Sequence, residues 1–356
     1  MKRWISAGLV IFLVFGCAAF SDVKNRQPKT DSANQSLQHA VSDLVARDAS
    51  VKNCVLAVAQ GDGSFAWSGA AGLANRERQA PMTPDTPIFL ASITKLYTAT
   101  AVMRLYEQGL LSLDDPVAKY LSAAVVDGIH VYRGKDYSRD ITIRHLLSHT
   151  SGIADYYTGK AADGKSLYEQ FLADPARIWT VRDTIDYARR NLTPNFPPGT
   201  QAAYADTNFQ LLGLIIESVT GKPLADVFEE LFFRPLNLRQ TRLAGFGPVC
   251  REKDSGVADV FDAGCRINDV RCNGSYWADG GMVSTAGEAI VFLKALNEGR
   301  ILRQETLALM HSWHKLEFPL QYGLGTMYVR FPFFMAKMMN VPPLWGHSGS
   351  TGSFLY

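Results

Sequence analysis

Two residues that could act as nucleophile and base stand three positions apart in the stretch Ser92-Ile93-Thr94-Lys95. On a helix, residues at this spacing lie on the same face, so the lysine amine can reach the serine hydroxyl. A serine hydroxyl is a weak nucleophile at neutral pH, and an adjacent amine or phenolate can take its proton. A serine paired with a lysine is an established form of covalent catalysis. The spacing therefore indicates acyl transfer through Ser92, with Lys95 helping to deprotonate it.

The surrounding sequence separates this pair from two other Ser-x-x-Lys matches, which begin at Ser21 and Ser312. Ser21 lies in a polar run and Ser312 late in an apparent helix. Ser92 instead follows an apolar segment and opens a helical pattern whose apolar face is formed by Leu96, Ala99, Met103, Tyr106 and Leu110. The free N–H groups and the positive dipole end at a helix start suit an oxyanion. For this motif alone, a serine that merely caps the helix beside a solvated lysine is the alternative.

Two further short motifs follow in the chain, Tyr204-Ala205-Asp206 and His347-Ser348-Gly349. Each has an ordinary interpretation when taken alone. Tyr204 could be a core aromatic residue, Asp206 could cap a helix that begins near Thr207, and His347 could be a surface histidine beside a turn. Their order after Ser92 is what makes the three motifs a set.

The set resembles the serine β-lactamase and penicillin-binding protein superfamily. Within it, the chain is similar to the branch of class C β-lactamases, D-alanyl-D-alanine carboxypeptidases and family VIII esterases. Longer segments carry the same resemblance, over roughly residues 37 to 356: Gly109–Leu121, Ile141–Ile153, Pro198–Gly213 and Ala278–Ala286. Independent segments that agree in order make the resemblance specific.

The resemblance implies a role for each matching residue. Ser92 is the acylated nucleophile, Lys95 helps to deprotonate it, and Tyr204 relays protons. Asp206, His347, Ser348, Gly349 and Ser350 would bind substrate, with the oxyanion hole formed by the N–H groups of Ser92 and Ser350. His149-Thr150-Ser151-Gly152 is expected to be architectural. A lysine and a tyrosine that share a proton would shift each other's pKa toward neutral pH.

The chain departs from the family pattern in three places. Asp206 stands where asparagine is common, and an ionised aspartate cannot donate a hydrogen bond to the amide carbonyl of a β-lactam side chain. His347 replaces the lysine of β-lactamases, and it is a weaker carboxylate anchor at neutral pH. The chain also ends at Tyr356, where family members usually continue through another strand and a helix. We therefore expect either a truncated sequence or a sheet that is closed differently.

The elements that would position these residues follow from periodicity and turn residues. We expect a helix around Leu37–Val45, a hairpin of Val51–Gln60 and Ser64–Ala70, and terminal strands at Tyr322–Phe331 and Ser350–Tyr356. Helical spacing or cap residues mark Ile143–Ser148, Thr180–Asn191, Thr207–Ser218, Pro223–Phe233 and Ser284–Asn297.

This order predicts an α+β fold of the β-lactamase/transpeptidase-like type. The terminal segments would form one antiparallel sheet flanked by helices, with a mostly helical lobe inserted. The sheet lobe would comprise about residues 36–91 and 316–356, and the helical lobe about residues 92–315. A cleft between the two lobes is the expected site.

The amino terminus predicts export. Lys2 and Arg3 precede an apolar run that is too short to span a bilayer comfortably, so we expect a signal peptide over residues 1–16. Val14-Phe15-Gly16-Cys17 resembles a lipoprotein processing box, which makes Cys17 the expected lipidation site and the cell envelope or periplasm the expected location. Ordinary cleavage nearby is the alternative. Residues 17–35 would be a polar tether.

Charge and cysteine content restrict the partners. Two of the 36 basic residues lie in the leader and none of the 34 acidic residues does, so the remainder is balanced and nucleic acid is not expected as a partner. Export permits disulfides among Cys54, Cys250, Cys265 and Cys272. Their spacing, with no histidine from Cys250 to Cys272, argues against a metal site. No metal and no organic cofactor is expected.

These observations predict an exported serine hydrolase. Its substrate would be a small-molecule ester, a D-amino-acid peptide or a β-lactam, with esters and D-peptides ranked ahead of β-lactams. Membrane attachment through an N-terminal lipid is a further expectation. The rival hypothesis is a non-hydrolytic protein that acylates once as a penicillin-binding sensor, or a degenerate relative that uses the cleft to bind cell wall.

Overall fold

A computed structural model describes residues 30–244, 256–262, 265–266, 268, 275–316, 319–331, 333–339 and 342–356. The helices are α1 Thr30–Arg47, α2 Thr94–Glu107, α3 Ala123–Val126, α4 Ile143–Leu147, α5 Leu167–Ala173, α6 Val181–Asn191, α7 Asp206–Thr220, α8 Leu224–Phe228, α9 Ala286–Asn297, α10 Gln304–Met310 and α11 Phe333–Met339. Short 3-10 turns occupy Ala91–Ile93 and Val117–Lys119, and a π-helical turn at Glu229–Phe233 extends α8.

The strands form antiparallel sheets. The amino-terminal sheet contains β1 Asn53–Ala59, β2 Ala66–Asn75 and β3 Ala80–Pro81, and the carboxy-terminal sheet contains β11 His314–Lys315, β12 Leu320–Tyr322, β13 Met327–Val329, β14 Leu344–Gly349 and β15 Ser353–Leu355. A third sheet joins β4 Ile88–Phe89, β7 Arg242–Leu243 and β10 Met282–Ser284. Two small hairpins pair β5 Val131–Tyr132 with β6 Lys135–Asp136, and β8 Phe261–Asp262 with β9 Cys265–Arg266.

Helix α2 lies at the centre of the core. The pattern of the sequence suggests one apolar face, but eleven of its 14 residues are buried, as is typical of a helix enclosed on all sides. Tyr97 stacks on Phe292 of α9 with ring centroids 3.7 Å apart. On another side, the Thr98 hydroxyl donates to the Ala278 carbonyl at 2.6 Å. This enclosure fixes the helix start, where Ser92 and Lys95 lie.

The predicted elements are largely present, with three differences in detail. The terminal segments form two separately hydrogen-bonded sheets among the described residues, where one sheet is predicted. The expected strand Tyr322–Phe331 contains a turn and contributes to two strands, β12 and β13. Helix α1 begins at Thr30, so the last part of the predicted tether is helical. Ser32 and Ser36 can extend a helix whose apolar residues, such as Val41, are then buried against the protein.

Several sequence predictions fall outside the described residues. These include the signal peptide, Cys17, Cys250 and Cys272. Cys54 forms no disulfide within the described part of the chain, and burial raises the pKa of its thiol. Within the described ranges, no helix combines the length and hydropathy needed to span a bilayer. Within the same part of the chain, no cluster of three or more His, Cys, Asp or Glu side chains could hold a metal ion.

Candidate active site

Ser92 lies in the 3-10 turn that leads directly into α2. The residue before it, Ala91, has a φ of 47°, a left-handed conformation that is unfavourable for a residue with a side chain. Two hydrogen bonds hold this turn. The Thr94 hydroxyl donates to the Ala91 carbonyl at 2.6 Å and accepts from the Met282 N–H of β10 at 3.0 Å. The position of Ser92 is therefore fixed by both the helix and the central sheet.

The Lys95 ammonium makes three hydrogen bonds, which use all of its protons. It donates to Ser92 Oγ at 3.1 Å, to the carbonyl oxygen of Asp279 at 2.7 Å, and to Asp206 Oδ1 in a close ion pair. Lys95 is 0% exposed, so the solvated lysine of the alternative interpretation is wrong. Burial alone would lower the pKa of Lys95, but the carboxylates of Asp206 and Asp279 outweigh burial and raise it.

Tyr204 lies beside this ammonium. Lys95 Nζ is 5.0 Å from the centroid of the Tyr204 ring, within the range of a cation–π contact. The phenol oxygen is buried and has no hydrogen-bond partner of ordinary geometry among the residues that the structure describes. Burial and the Asp206 charge raise the pKa of Tyr204 well above its usual value, although the nearby Ser92 hydroxyl opposes the rise. The predicted shift of the Lys95 and Tyr204 pKa values toward neutral pH is therefore wrong. Nearby carboxylates keep Lys95 protonated against the effect of burial, and burial together with the Asp206 charge keeps Tyr204 protonated.

Asp206 occupies the first turn of α7, but it does not cap the helix through its side chain. Its carboxylate instead faces Lys95, with 13% of the side chain exposed. Its backbone N–H donates to Asp155 Oδ1 at 2.9 Å. The interpretation of Asp206 as a simple helix cap is therefore wrong, and α7 presents this carboxylate to the serine–lysine pair.

Two more carboxyl groups adjoin the pair, and sequence reasoning did not single them out. Asp279 accepts hydrogen bonds from the Tyr156 hydroxyl at 2.6 Å and from the Trp277 N–H at 3.1 Å. Burial, then the Asp206 charge, raises the pKa of Asp279. The same two causes raise the pKa of Asp155 to about 6. Asp279 lies in a segment already noted for its family resemblance, whereas no spacing rule marks Asp155.

His347 lies on β14 and is fully buried. Its Nδ1–H donates to the Ser348 carbonyl at 2.8 Å, because a carbonyl can only accept, and its Nε2 then accepts from the Tyr322 hydroxyl at 3.0 Å. Burial and the Lys95 charge lower the pKa of His347 to about 3. The interpretation of His347 as a surface histidine is therefore wrong. The ring is neutral at physiological pH and provides no positive charge for a substrate carboxylate.

The end of β14 packs directly on the turn that carries Ser92. A Cβ at Gly349 would lie 2.3 Å from the Leu90 carbonyl oxygen and 3.1 Å from Ala91 Cβ, so only glycine fits. Beyond it, the Thr351 hydroxyl donates to the Phe89 carbonyl at 2.9 Å. The Ser348 hydroxyl and the Tyr356 hydroxyl are 2.6 Å apart. Ser350 lies in the following turn and is exposed. The oxyanion role of the Ser92 and Ser350 N–H groups stays a prediction.

His149 packs against Tyr204 and holds the backbone beside it. Its Nδ1 accepts hydrogen bonds from the Ala205 N–H at 3.2 Å and from the Asn208 amide at 3.0 Å, and its ring lies 4.3 Å from that of Tyr204. Burial, with a contribution from the Lys95 charge, lowers the pKa of His149 well below its usual value. A neutral, enclosed ring agrees with the architectural role predicted for this segment.

A cavity of about 390 Å³ opens beside Tyr204, a size that suits part of a small-molecule substrate. Its polar lining includes Asp155, Thr158 and Asn195. The cavity therefore lies between Tyr204 and Asp155, and its lining also includes the cationic Lys160.

Comparison with known proteins agrees with this geometry. The family model described as Beta-lactamase matches residues 39–356. Esterase EstB of Burkholderia gladioli is 33% identical over 213 residues, which cover 56% of this chain and 49% of that protein. The D-alanyl-D-alanine-carboxypeptidase/endopeptidase AmpH of Escherichia coli (strain K12) is 29% identical over 210 residues, or 59% of this chain and 49% of that protein. The chain thus spans about half the length of these curated relatives.

Solved structures are similar over most of their length. A D-stereospecific amidohydrolase from Streptomyces sp. gives a TM-score of 0.71 at 30% identity, covering 89% of this chain and 87% of that one. The D-amino acid amidase of Ochrobactrum anthropi SV3 gives 0.71 at 26% identity, covering 89% and 84%. These likenesses confirm the predicted fold class and the predicted resemblance. The chain, with a serine–lysine pair at the start of its central helix, belongs to the Beta-lactamase family of serine hydrolases.

Proposed function

We propose that this protein hydrolyses small esters and D-amino-acid amides or peptides through an acyl-serine at Ser92. The observation that carries the proposal is the 3.1 Å contact between Lys95 Nζ and Ser92 Oγ at the start of the buried helix α2. Tyr204, against the same ammonium, is suited to pass a proton to the leaving group. The relatives named as an esterase, a carboxypeptidase/endopeptidase and an amidase support this reaction class.

The charges around Ser92 favour substrates without a carboxylate near the reacting carbon. Two carboxyl groups, those of Asp206 and Asp279, act on the Lys95 ammonium, and a third, that of Asp155, accepts a hydrogen bond from the Asp206 N–H. His347 is neutral and buried where a cationic anchor would be needed. An anionic group entering here meets unfavourable electrostatics, whereas an ammonium group is attracted. This ranks esters and D-aminoacyl amides ahead of β-lactams, which carry a carboxylate.

Matched substrates test this ranking. We expect N-acetyl-D-Ala-D-alaninamide to be cleaved with a kcat/KM about tenfold above that of N-acetyl-D-Ala-D-Ala, which differs by the terminal carboxylate. D-alanine p-nitroanilide should likewise exceed its N-acetyl derivative, which lacks the ammonium group. Both differences should shrink at high salt, since screening weakens charge effects. Equal rates within each pair, or a preference for the carboxylate, would contradict the charge argument.

A sensor that acylates only once is the alternative, and burst kinetics decide between the two. With a chromogenic ester, an enzyme continues to release product after the first equivalent. A sensor releases one equivalent and stops. Sustained turnover by the wild-type protein, lost in Ser92→Ala, is the result expected here.

We also propose that the protein is exported and attached to the cell envelope through a lipid on Cys17. This rests on the sequence of the amino terminus alone, which lies outside the described residues. A lipid anchor would place the site near envelope substrates that contain D-amino acids, in keeping with the relatives named as carboxypeptidases.

A further inference from the structure

Ser92 is surrounded by groups that are already protonated. The Lys95 ammonium donates to its oxygen, and nearby carboxylates keep the pKa of Lys95 above the usual range. The Tyr204 phenol also holds its proton, because burial and the Asp206 charge oppose ionisation. A protonated lysine and a protonated tyrosine cannot remove the serine proton, so a different group must accept it.

The hydrogen bonds of Lys95 identify that group. Of its three acceptors, Ser92 Oγ is the reacting atom and the Asp279 carbonyl oxygen is too weak a base to take a proton. The third acceptor, Asp206 Oδ1, is a carboxylate in direct contact with the ammonium. The lysine nitrogen thus lies between the serine to be deprotonated and a carboxylate.

We propose that Asp206 is the proton acceptor for acylation and that it acts through Lys95, as a serine–lysine–aspartate relay. This inference rests on the proposed acyl-serine function and deepens it. The asparagine common at this position in the family cannot serve in this way. The relay would be a property of this chain's Asp206.

The proposed transfer balances as follows. The Ser92 hydroxyl proton moves to Lys95 Nζ while an ammonium proton moves from Nζ to Asp206 Oδ1. Ser92 Oγ bonds to the substrate carbonyl carbon, and the carbonyl π electrons move to its oxygen. When the oxyanion collapses, the bond to the leaving group breaks and Tyr204 gives its phenol proton to that group. Tyr204 then regains a proton through Lys95 from the one stored on Asp206. Water then repeats the sequence and releases Ser92.

The relay predicts a specific pH dependence. With Asp206 present, the carboxylate in contact with Lys95 accepts a proton from the ammonium as the lysine takes that of Ser92. In Asp206→Asn, Lys95 must instead lose its proton to solvent before it can accept that of Ser92, so the acidic limb moves to higher pH. The charged or titratable groups that face Asp206 and that could modify this limb are Lys95, Asp155, Tyr156, Tyr204, Asp279 and Tyr322.

The test compares pH–rate profiles of kcat/KM for the neutral ester p-nitrophenyl acetate in the wild type, Asp206→Asn, Asp206→Glu and Asp114→Asn. Asp114 is a control carboxylate that pairs with Arg144 on the surface. In Asp206→Asn, the acidic limb should move by at least about one pH unit to the alkaline side, with a loss of about 100-fold at pH 6 that largely recovers at high pH. Asp206→Glu should restore the limb toward that of the wild type, and Asp114→Asn should leave it in place.

Two results would overturn the relay. One is an acidic limb of the pH–rate profile that lies at the same pH in Asp206→Asn and in the wild type. A rate that falls by the same factor at every pH would indicate a structural role for Asp206, and it also counts against the relay. The other is a linear proton inventory of wild-type acylation, because the transfer of two protons in the transition state gives a curved inventory. The second measurement needs no variant, so the relay can be refuted even if Asp206→Asn does not fold. Labelling of wild-type Ser92 by a fluorophosphonate separates failure of the relay from failure of the proposed function.

Discussion

Asp155 allows a direct measurement of how much the raised pKa of a buried carboxyl group at this site destabilises the folded protein. Burial and the neighbouring Asp206 charge raise the pKa of Asp155 from its usual value of 3.8 to about 6. At about 1.4 kcal/mol per unit, this rise corresponds to an upper limit of roughly 3 kcal/mol. Between about pH 4 and pH 6 the unfolded chain has lost this proton while the folded protein keeps it, so raising the pH destabilises the fold. Above pH 6 both states are ionised and the effect is constant.

Asp155→Asn removes this titration. The free energy of unfolding of the wild type minus that of the variant should therefore fall by up to roughly 3 kcal/mol from pH 4 to pH 7. The absolute difference also includes the hydrogen bonds that Asp155 accepts from Thr158 and Asp206, which the amide reproduces only in part. Urea unfolding followed by circular dichroism at several pH values measures the difference, and the effects of titrating groups that do not interact with Asp155 cancel in it.

Asp114→Asn provides a control of opposite sign. The hydrogen bond from Arg144 lowers the pKa of Asp114. The free energy of unfolding of the wild type minus that of Asp114→Asn should therefore stay constant or rise with pH. A difference for Asp155→Asn that is flat or rises between pH 4 and pH 7 would refute the reasoning. It would also remove the electrostatic basis for expecting the site to disfavour anionic substrates.

Three further predictions follow from the site and the amino terminus. Lys95→Ala and Tyr204→Phe should each lower kcat by about two orders of magnitude or more, as measured with a chromogenic ester, because each removes a positioned proton carrier; near-normal turnover would exclude the role. Gly349→Ala should slow acylation about tenfold or more, because its Cβ would meet the Leu90 carbonyl oxygen at 2.3 Å. The control Gly287→Ala meets no described atom within 4 Å and should leave the rate unchanged; equal rates in the two variants would be inconsistent with the packing. Cys17→Ser should abolish incorporation of radiolabelled palmitate, and label that survives the substitution would rule out lipidation at that residue.

Local sequence signals predicted the parts of the site that depend on one element. The spacing of Ser92 and Lys95 placed both at the start of α2, where they are in contact. Cap residues predicted helix starts to within a residue or two, as at Thr180. Its hydroxyl accepts from the Asp183 N–H, and its N–H donates to the Asp183 carboxylate. These predictions succeed because a helix is specified by residues a few positions apart.

The parts that depend on tertiary packing could not be predicted in this way. Asp155, Asp206 and Asp279 come from three separate segments. Only the fold brings Asp206 and Asp279 to Lys95, and Asp155 to Asp206. This explains why the direction of the Lys95 pKa shift was predicted wrongly, since the contact of Asp206 and the charge of Asp279 at a buried ammonium follow only from the fold. The burial of His347 against Tyr322 is likewise a property of the sheet. A histidine–serine–glycine motif does not show whether its ring faces substrate or the core.

Mass spectrometry of the covalently labelled nucleophile tests the central claim most directly. Wild-type protein, Ser92→Ala and Ser312→Ala are each treated with a fluorophosphonate and digested. Ser312 also belongs to a Ser-x-x-Lys sequence but is exposed, so it controls for the motif without the site. We expect one labelled serine, Ser92, in the wild type and in Ser312→Ala, and no label in Ser92→Ala. Label on any other residue, or an active protein with no label on Ser92, would contradict it.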